Sequence, residues 1–223
     1  MQRLLFVFLT LFIFSQGTHA QIDRRAIHQH LDASADDYAG IAQRIWDLAE
    51  LGYLEQQSSQ LLQQTLIEEG FSIEAPVAGL PTAFVATYGR GEPVIAVLAE
   101  FDALPGISQS AAPQRELVEG KNAGHACGHH LFGAGSVAAA VAVQRWMVEN
   151  EVSGTLRLIG TPAEEGGSGK VYMVRAGLFD DVDVALHWHP SSLNDANAAT
   201  SLANKSAKFR FTGVSSHAAT APG

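Results

Sequence analysis

Three apolar stretches of the chain each end in residues whose side chains can bind metal ions. The stretches and the residues that follow them are 93–99 with Glu100 and Asp102, 155–160 with Glu164 and Glu165, and 182–186 with His187 and His189. Apolar runs bounded by turn residues are typical of buried parallel strands. In open α/β sheets, ligands bind beyond the carboxyl ends of the strands. Carboxylates and imidazoles that converge at that edge predict a metal-assisted hydrolase.

The single cysteine of the chain lies between histidines. Cys127 and His129 are two residues apart, and Gly128 lets the backbone bend so that both side chains can face one site. Alone, this triplet would more often contain a buried structural cysteine. The flanking His125 and His130 favour metal binding instead.

The adjacent carboxylates Glu164 and Glu165 follow an apolar strand through a short turn. Such a pair suits two jobs, because one carboxylate can bind a metal while the other takes a proton from metal-bound water. The alternative is a solvated acidic turn. The preceding apolar strand and the glycines that follow favour the catalytic interpretation.

His187 and His189 follow the third apolar run, and alternation places both on the same side of an extended chain. Only one of them needs to be a ligand, and the other would then hydrogen-bond substrate or support the ligands. His187 is favoured because it directly ends the apolar run. Asp102 suits the role of orienting a ligand, with a loop cap as its alternative.

Other catalytic motifs fit less well. Residues 166–170 resemble a phosphate-binding loop, but Glu164 and Val171 stand where that motif needs Gly and Ser or Thr. The segment is expected instead to be a flexible lead-in to the next helix. No Gly-x-Ser-x-Gly motif supports a serine hydrolase. A cysteine hydrolase that uses Cys127 is conceivable, but it would leave the acidic pair and His187 without a role.

The first twenty residues predict a secretory signal peptide. Arg3 precedes an eleven-residue apolar core, 4–14, and the segment ends in Thr18-His19-Ala20 before Gln21. The alternative is a membrane anchor, but a span needs about 20 apolar residues. The mature protein is therefore expected to be exported, periplasmic or secreted, and not membrane-bound.

The composition of the chain limits which classes of partner and fold remain. Loss of Arg3 with the signal peptide moves the formal net charge from −9 to −10. This charge argues against nucleic acid as a partner, since phosphate binding needs clustered Lys and Arg. An apolar fraction of 47% is enough for one good core.

The spacing of apolar residues predicts alternating helices and strands. Helices are predicted over 33–51, 58–69, 131–148 and 169–177, and strands over 71–73, 83–87, 93–99, 155–160, 182–187 and 207–211. A surface loop is predicted over residues 104–124, and a crossing between domains is predicted over residues 190–204. The fold class is therefore α/β, with a mostly parallel sheet flanked by helices.

The segments 100–105, 124–130, 160–167, 185–190 and 213–222 together resemble a known group. The group is the co-catalytic metallopeptidases that include carboxypeptidase G, aminoacylases and indole-acetyl-amino-acid hydrolases. The similarity is greatest to the branch that contains p-aminobenzoyl-glutamate hydrolase. Glu100 occupies a position often held by Asp or, in other branches, by His.

The resemblance implies a catalytic α/β domain with an inserted α+β lid that mediates dimerisation. It also implies a role for each site residue: Cys127, His129, Glu165 and His187 as ligands of two metal ions, Glu164 as general base, and His217 as a lid histidine that reaches the active site of the partner subunit. The corresponding domains are the signal peptide at 1–20, part of the catalytic domain at 21–204 and the start of the lid at 205–223. We expect the chain to be a fragment, because the family has a further ligand downstream, and the full-length protein to be a homodimer.

The expected activity is hydrolysis of an amide bond in N-acyl amino acids or small peptide conjugates. Cys and His ligands suit Zn²⁺, while Mn²⁺ and Co²⁺ also accept mixed donors. The competing class is an exported metal- or ligand-binding protein without catalysis. The intact pair of Glu164 and Glu165 argues against it, because a binder needs no base beside its ligands.

Overall fold

The computed structural model describes residues 24–196, 200, 202–213, 217 and 219. The predicted signal peptide lies outside these residues. The chain divides into two compact units, one up to Pro190 and one from Ser191 onward.

Six helices and seven strands form the described part of the first unit. The helices are α1 (Arg24–Ala33), α2 (Ala35–Leu48), α3 (Gln56–Glu68), α4 (His129–Glu149), α5 (Glu164–Gly167) and α6 (Gly169–Arg175). The strands are β1 (Ser72–Glu74), β2 (Phe84–Arg90), β3 (Val94–Ala99), β4 (Leu104–Pro105), β5 (Ala123–Gly124), β6 (Gly154–Gly160) and β7 (Val184–Leu186). The sequence patterns did not predict α1, which is polar and has no buried residue.

Five strands form one sheet in the order β1-β2-β6-β3-β7. β6 and β7 both pair parallel with β3, whereas β1 and β2 extend the sheet with antiparallel pairs. The α/β class is confirmed, and the parallel part is the part whose strands precede the candidate ligands. A tight turn joins β2 to β3, yet β6 lies between them and pairs with β2 along its whole length.

Alternation along the strands divides the core into two layers. On one face of the sheet, Leu156 and Leu158 of β6 belong to the cluster formed with α2, α3 and α4. On the other face, Ile159 belongs to a cluster that contains Met173 of α6. A helix layer on each face is the usual way to cover parallel strands, which are apolar on both sides.

The small residues of α4 allow close packing, as the sequence predicts. A Cβ atom on Gly133 would lie 3.0 Å from the backbone oxygen of Glu100, and one on Gly135 would lie 2.8 Å from Cζ2 of Trp188. α4 is also long and apolar enough to cross a membrane by length and composition, but 56% of its apolar stretch is buried in the fold. It is the central helix of this core.

The second unit has little regular structure in its described part. Residues 191–196 and 202–213 form no helix or strand, and their described side chains are exposed. The predicted strand 207–211 is therefore absent from this structure. Alternation alone cannot form a strand, because its backbone groups need a partner strand. The compact unit ends at Pro190, ahead of the predicted boundary at 204, and the division into catalytic domain and lid stays a prediction.

Candidate active site

His129 lies at the centre of the candidate site. It is fully buried at the first residue of α4. Gly128 before it has φ 87°, and a Cβ there would lie 3.0 Å from Cβ of Pro190. Nδ1 of His129 lies 3.0 Å from both the backbone oxygen and Oδ1 of Asp102. Both of these atoms are acceptors, so Nδ1 donates its proton and Asp102 orients the ring, as the sequence predicts.

Two groups of potential metal donors surround Nε2 of His129. In the first, Nε2 of His189 lies 3.4 Å from Nε2 of His129 and 3.5 Å from Sγ of Cys127. In the second, Oε2 of Glu100 lies 2.9 Å and Oε2 of Glu164 lies 4.0 Å from the same nitrogen. Thiol, imidazole and carboxylate donors at this separation fit divalent transition-metal ions.

The predicted ligands occupy different parts of this cluster. Cys127 and His129 belong to the first donor group. His187 lies beside Glu100 instead, with its Nε2 3.3 Å from Oε1. The backbone N–H of Glu165 donates to Oδ2 of Asp102 over 2.8 Å, and its Oε1 is buried without a hydrogen-bond partner among the described residues. A buried carboxylate oxygen without a donor fits a site that holds a cation.

His189, rather than His187, approaches Cys127 and His129. Trp188 lies between the two histidines and is anchored on α4, where its Nε1 donates to Oγ of Ser136 over 3.1 Å. Its ring also lies over Gly135. The alternation in sequence allowed either histidine to be the ligand, and the assignment to His187 stays a prediction.

Lys170 is a further site residue that the sequence analysis did not assign, and Glu100, which it named as a potential metal-binding residue, received no specific role there. Nζ of Lys170 contacts Oε1 of Glu100, which is 2% exposed. Burial alone would raise the pKa of Glu100, but hydrogen bonds from His129, His187 and Lys170 hold this pKa well below its usual range. The end of the apolar run at Glu100 was the available signal, whereas Lys170 gave none because residues 166–170 were interpreted as a flexible helix lead-in.

Part of that segment is closely packed. The hydroxyl of Tyr53 donates to the backbone oxygen of Gly167 over 2.6 Å. A Cβ on Gly167 would lie 2.6 Å from Cβ of Ala163. Gly167 therefore serves close packing beside Glu164 and Glu165 rather than flexibility.

Glu164 combines partial exposure with an acidic environment. Its side chain is 46% exposed. Burial of part of the side chain and the negative charges of Glu100 and Glu165 raise its pKa. A raised pKa makes the carboxylate a better proton acceptor, as a general base requires.

The pKa of the Cys127 thiol is shifted in the opposite direction to that of a nucleophilic cysteine. Burial, a hydrogen bond to the Glu165 carboxylate and the nearby negative charges raise its pKa to about 12. Reactive cysteines lie instead in electropositive surroundings that lower the pKa of the thiol. The acidic cluster thus disfavours a cysteine hydrolase and suits a thiol that ionises on binding a cation.

His217, the predicted lid histidine, belongs to the second unit and is exposed. Its catalytic role stays a prediction.

His125 and His130, which flank the cysteine and histidine of the site in sequence, contact the ring of Trp46. The imidazole rings of both are kept uncharged by their surroundings. The ring centroids of Trp46 and His130 are 4.8 Å apart in an edge-to-face contact. Burial, followed by the charges of neighbouring histidines, lowers the pKa of each to about 4. In the unfolded chain, a histidine titrates near 6.5.

These histidines should therefore make the metal-free protein less stable in acid. Between about pH 6.5 and pH 4 the unfolded chain binds protons that the folded chain excludes, so the free energy of unfolding falls as the pH falls. The expected slope is about 1.4 kcal/mol per pH unit for each histidine. His130→Phe keeps the contact with Trp46 and should reduce this slope by one histidine's share in urea unfolding between pH 4 and pH 7. His28→Gln, at an exposed position, is the control, and an unchanged slope in His130→Phe would contradict the expectation.

The chain is similar to known metallopeptidases. The sequence model of the peptidase family M20/M25/M40 matches residues 96–219, more than half of the chain, and this range includes every predicted site residue. One of the subunits of p-aminobenzoyl-glutamate hydrolase from Escherichia coli (strain K12) is 44% identical over 200 residues, which cover 89% of this chain and 41% of that protein. Xaa-Arg dipeptidase from Mus musculus is 30% identical over 225 residues, which cover 93% of this chain and 47% of that protein.

Solved structures agree with the sequence comparison. A dinuclear metal-binding peptidase of Bacillus subtilis from family M20 matches with a TM-score of 0.59 and 26% identity. The match covers 76% of this chain and 44% of that chain. The chain thus spans less than half the length of these relatives.

Proposed function

The chain belongs to the peptidase family M20/M25/M40, and we propose that the protein hydrolyses the amide bond of N-acyl amino acids or small peptide conjugates. The observation that carries this proposal is the meeting of Cys127, His129 and His189 on one side with the carboxylates of Glu100 and Glu164 on the other. A pure metal-binding site has no use for a partly exposed carboxylate with a raised pKa beside its ligands.

Two divalent ions, when bound, would lower the pKa of a water molecule and polarise the scissile carbonyl. The donors available to hold them are Cys127, His129, Glu165 and one of the histidines after β7, with Glu100 beside them. Zn²⁺ is favoured by the thiol and imidazole donors, and Mn²⁺ by the carboxylates. Asp102 supports this set because it holds both the ring of His129 and the backbone of Glu165.

Glu164 acts in this proposal as the general base. It removes a proton from the attacking water and later delivers it to the leaving amine. Its raised pKa supports this double use, because a more basic carboxylate accepts a proton from water more readily. His217 of a second subunit is proposed to stabilise the oxyanion. This role and the homodimer rest on the family resemblance alone.

The names of the relatives support the substrate class. One is a hydrolase of p-aminobenzoyl-glutamate and the other a dipeptidase, and both names describe an amide bond next to an amino acid. Export of the protein is proposed from the signal-peptide pattern of residues 1–20.

The proposal is tested by a screen of the full-length protein. N-acetyl, N-benzoyl and N-aminobenzoyl amino acids and dipeptides are incubated with protein loaded with Zn²⁺ or Mn²⁺, and the released amine is measured. We expect hydrolysis that a chelator abolishes and that restored metal recovers. A non-catalytic binding protein would bind metal without releasing amine. A cysteine hydrolase would be insensitive to chelators and inactivated by thiol alkylation, and either outcome would overturn the proposal.

A further inference from the structure

Glu55 is a buried carboxylate that the proposed reaction does not use. It immediately precedes α3 and is 0% exposed. Its Oε2 accepts a hydrogen bond from Oγ1 of Thr82 over 2.8 Å, and its Oε1 accepts one from the backbone N–H of Ala163 over 2.8 Å. Burial raises the pKa of Glu55, and these two hydrogen bonds oppose that rise. Burying a carboxylate is costly unless hydrogen bonds compensate, so its position calls for a reason.

The bond to Ala163 reaches the turn that carries Glu164 and Glu165. Every second backbone N–H of this turn is held by a different acceptor. Thr161 donates to the backbone oxygen of Ala99 over 2.8 Å, Ala163 to Glu55, and Glu165 to Oδ2 of Asp102 over 2.8 Å. Glu55 thus holds the middle of three anchors.

Ala163 particularly needs such an anchor. Its φ is 57°, in the left-handed region that alanine rarely adopts. This conformation directs the chain from β6 into the short helix that begins at Glu164. Uncommon backbone conformations persist where the surrounding structure holds them, and they concentrate at active sites.

We propose that Glu55 is a positioning residue for the active site: by accepting the N–H of Ala163, it fixes the turn that directs Glu164 and Glu165 toward the cluster around His129. This inference rests on the proposed function and extends it to Glu55, which lies 108 positions before Ala163 in the sequence. The property that matters is the acceptor atom rather than the charge.

Two neutral substitutions separate these properties. In Glu55→Gln the amide oxygen still accepts the N–H of Ala163, and the amide nitrogen can donate to Thr82. Glu55→Met has similar size but no oxygen, so the N–H of Ala163 is left buried without an acceptor. A displaced catalytic group can cost about 100-fold in rate, and loss of a group that orients ligands typically costs about 10- to 100-fold in metal affinity or activity.

Glu50 provides a matched control in the same segment. Its Oε2 accepts the backbone N–H and the hydroxyl of Ser58, both over 2.8 Å. Glu50→Met therefore removes a carboxylate that anchors α3 without touching the turn at Ala163. It should lower the melting temperature while leaving kcat unchanged.

The experiment measures kcat, KM, Zn²⁺ affinity by calorimetry and melting temperature in the full-length protein. We expect Glu55→Met to lower kcat about 100-fold and to weaken Zn²⁺ binding about 10-fold, while Glu55→Gln retains most of both. Equal values in Glu55→Gln and Glu55→Met, or a kcat in Glu55→Met that matches Glu50→Met, would overturn the proposal.

Two further outcomes remain interpretable. If Glu55→Met does not fold, Thr82→Val tests the same anchor, because it frees the other oxygen of Glu55 and should lower kcat in the same direction but less. An unchanged kcat in Thr82→Val would then count against the proposal. If the wild-type protein hydrolyses no amide, the proposed function fails, and the Zn²⁺ affinities of the Glu55 variants still decide whether Glu55 positions the site.

Discussion

Glu164→Gln in the full-length protein is expected to lower kcat by about 10²- to 10⁴-fold, the usual contribution of a general base. Glutamine has the same shape as glutamate but cannot accept the proton of the attacking water. Since the side chain of Glu164 is 46% exposed, the substitution should leave the fold intact. KM should change little, because the lost interaction belongs to the transition state.

Glu165→Gln is the matched comparison. Its buried Oε1 has no hydrogen-bond partner among the described residues, which suits a metal ligand. This variant should lose metal affinity, whereas Glu164→Gln should retain it. Calorimetric titration with Zn²⁺ and steady-state kinetics on both variants separate the roles. Near-normal turnover in Glu164→Gln would end the assignment as base, and a loss of metal binding in the same variant would make Glu164 a ligand.

The local patterns of the sequence predicted most of the helices and strands, because apolar periodicity reflects which face is buried. The run that ends at Ala99 and the run that ends at Gly160 became β3 and β6, with α4 between them. The order of the strands in the sheet could not be predicted in this way. A tight turn joins β2 to β3 along the chain, but β6 pairs between the two, and no local pattern reports such a long-range pairing.

In the candidate site, too, local spacing predicted some contacts, whereas others depend on long-range packing. The spacing of Cys127 and His129 was sufficient to bring them together, since one glycine separates them at the start of α4. The choice between His187 and His189 depended on where the intervening Trp188 packs, and that depends on the space over Gly135. Likewise, Lys170 reaches Glu100 across 70 positions, so its contact could not be found from neighbours in sequence.

Metal affinity should rise steeply with pH, because two donors of the metal-free site hold protons at neutral pH. Burial lowers the pKa of His129, but its hydrogen bonds to Asp102 and Glu100 outweigh burial and raise this pKa to about 10. Burial and the surrounding carboxylates raise the pKa of Cys127 to about 12. Metal ligands must be deprotonated, so binding through both residues releases two protons.

Each released proton contributes about a tenfold gain in affinity per pH unit below the pKa of its group, so the two together predict about 100-fold per unit between about pH 6 and pH 8. Calorimetry of Zn²⁺ binding in buffers with different ionisation enthalpies counts these protons directly. Cys127→Ser replaces the thiol with a hydroxyl that does not ionise in this range. Its proton count should fall from about two to about one, and the slope should fall with it. An unchanged count would remove Cys127 from the ligands. A pH-independent affinity in the wild type would show that neither His129 nor Cys127 binds the metal, because their protons would then stay in place while the ion binds elsewhere.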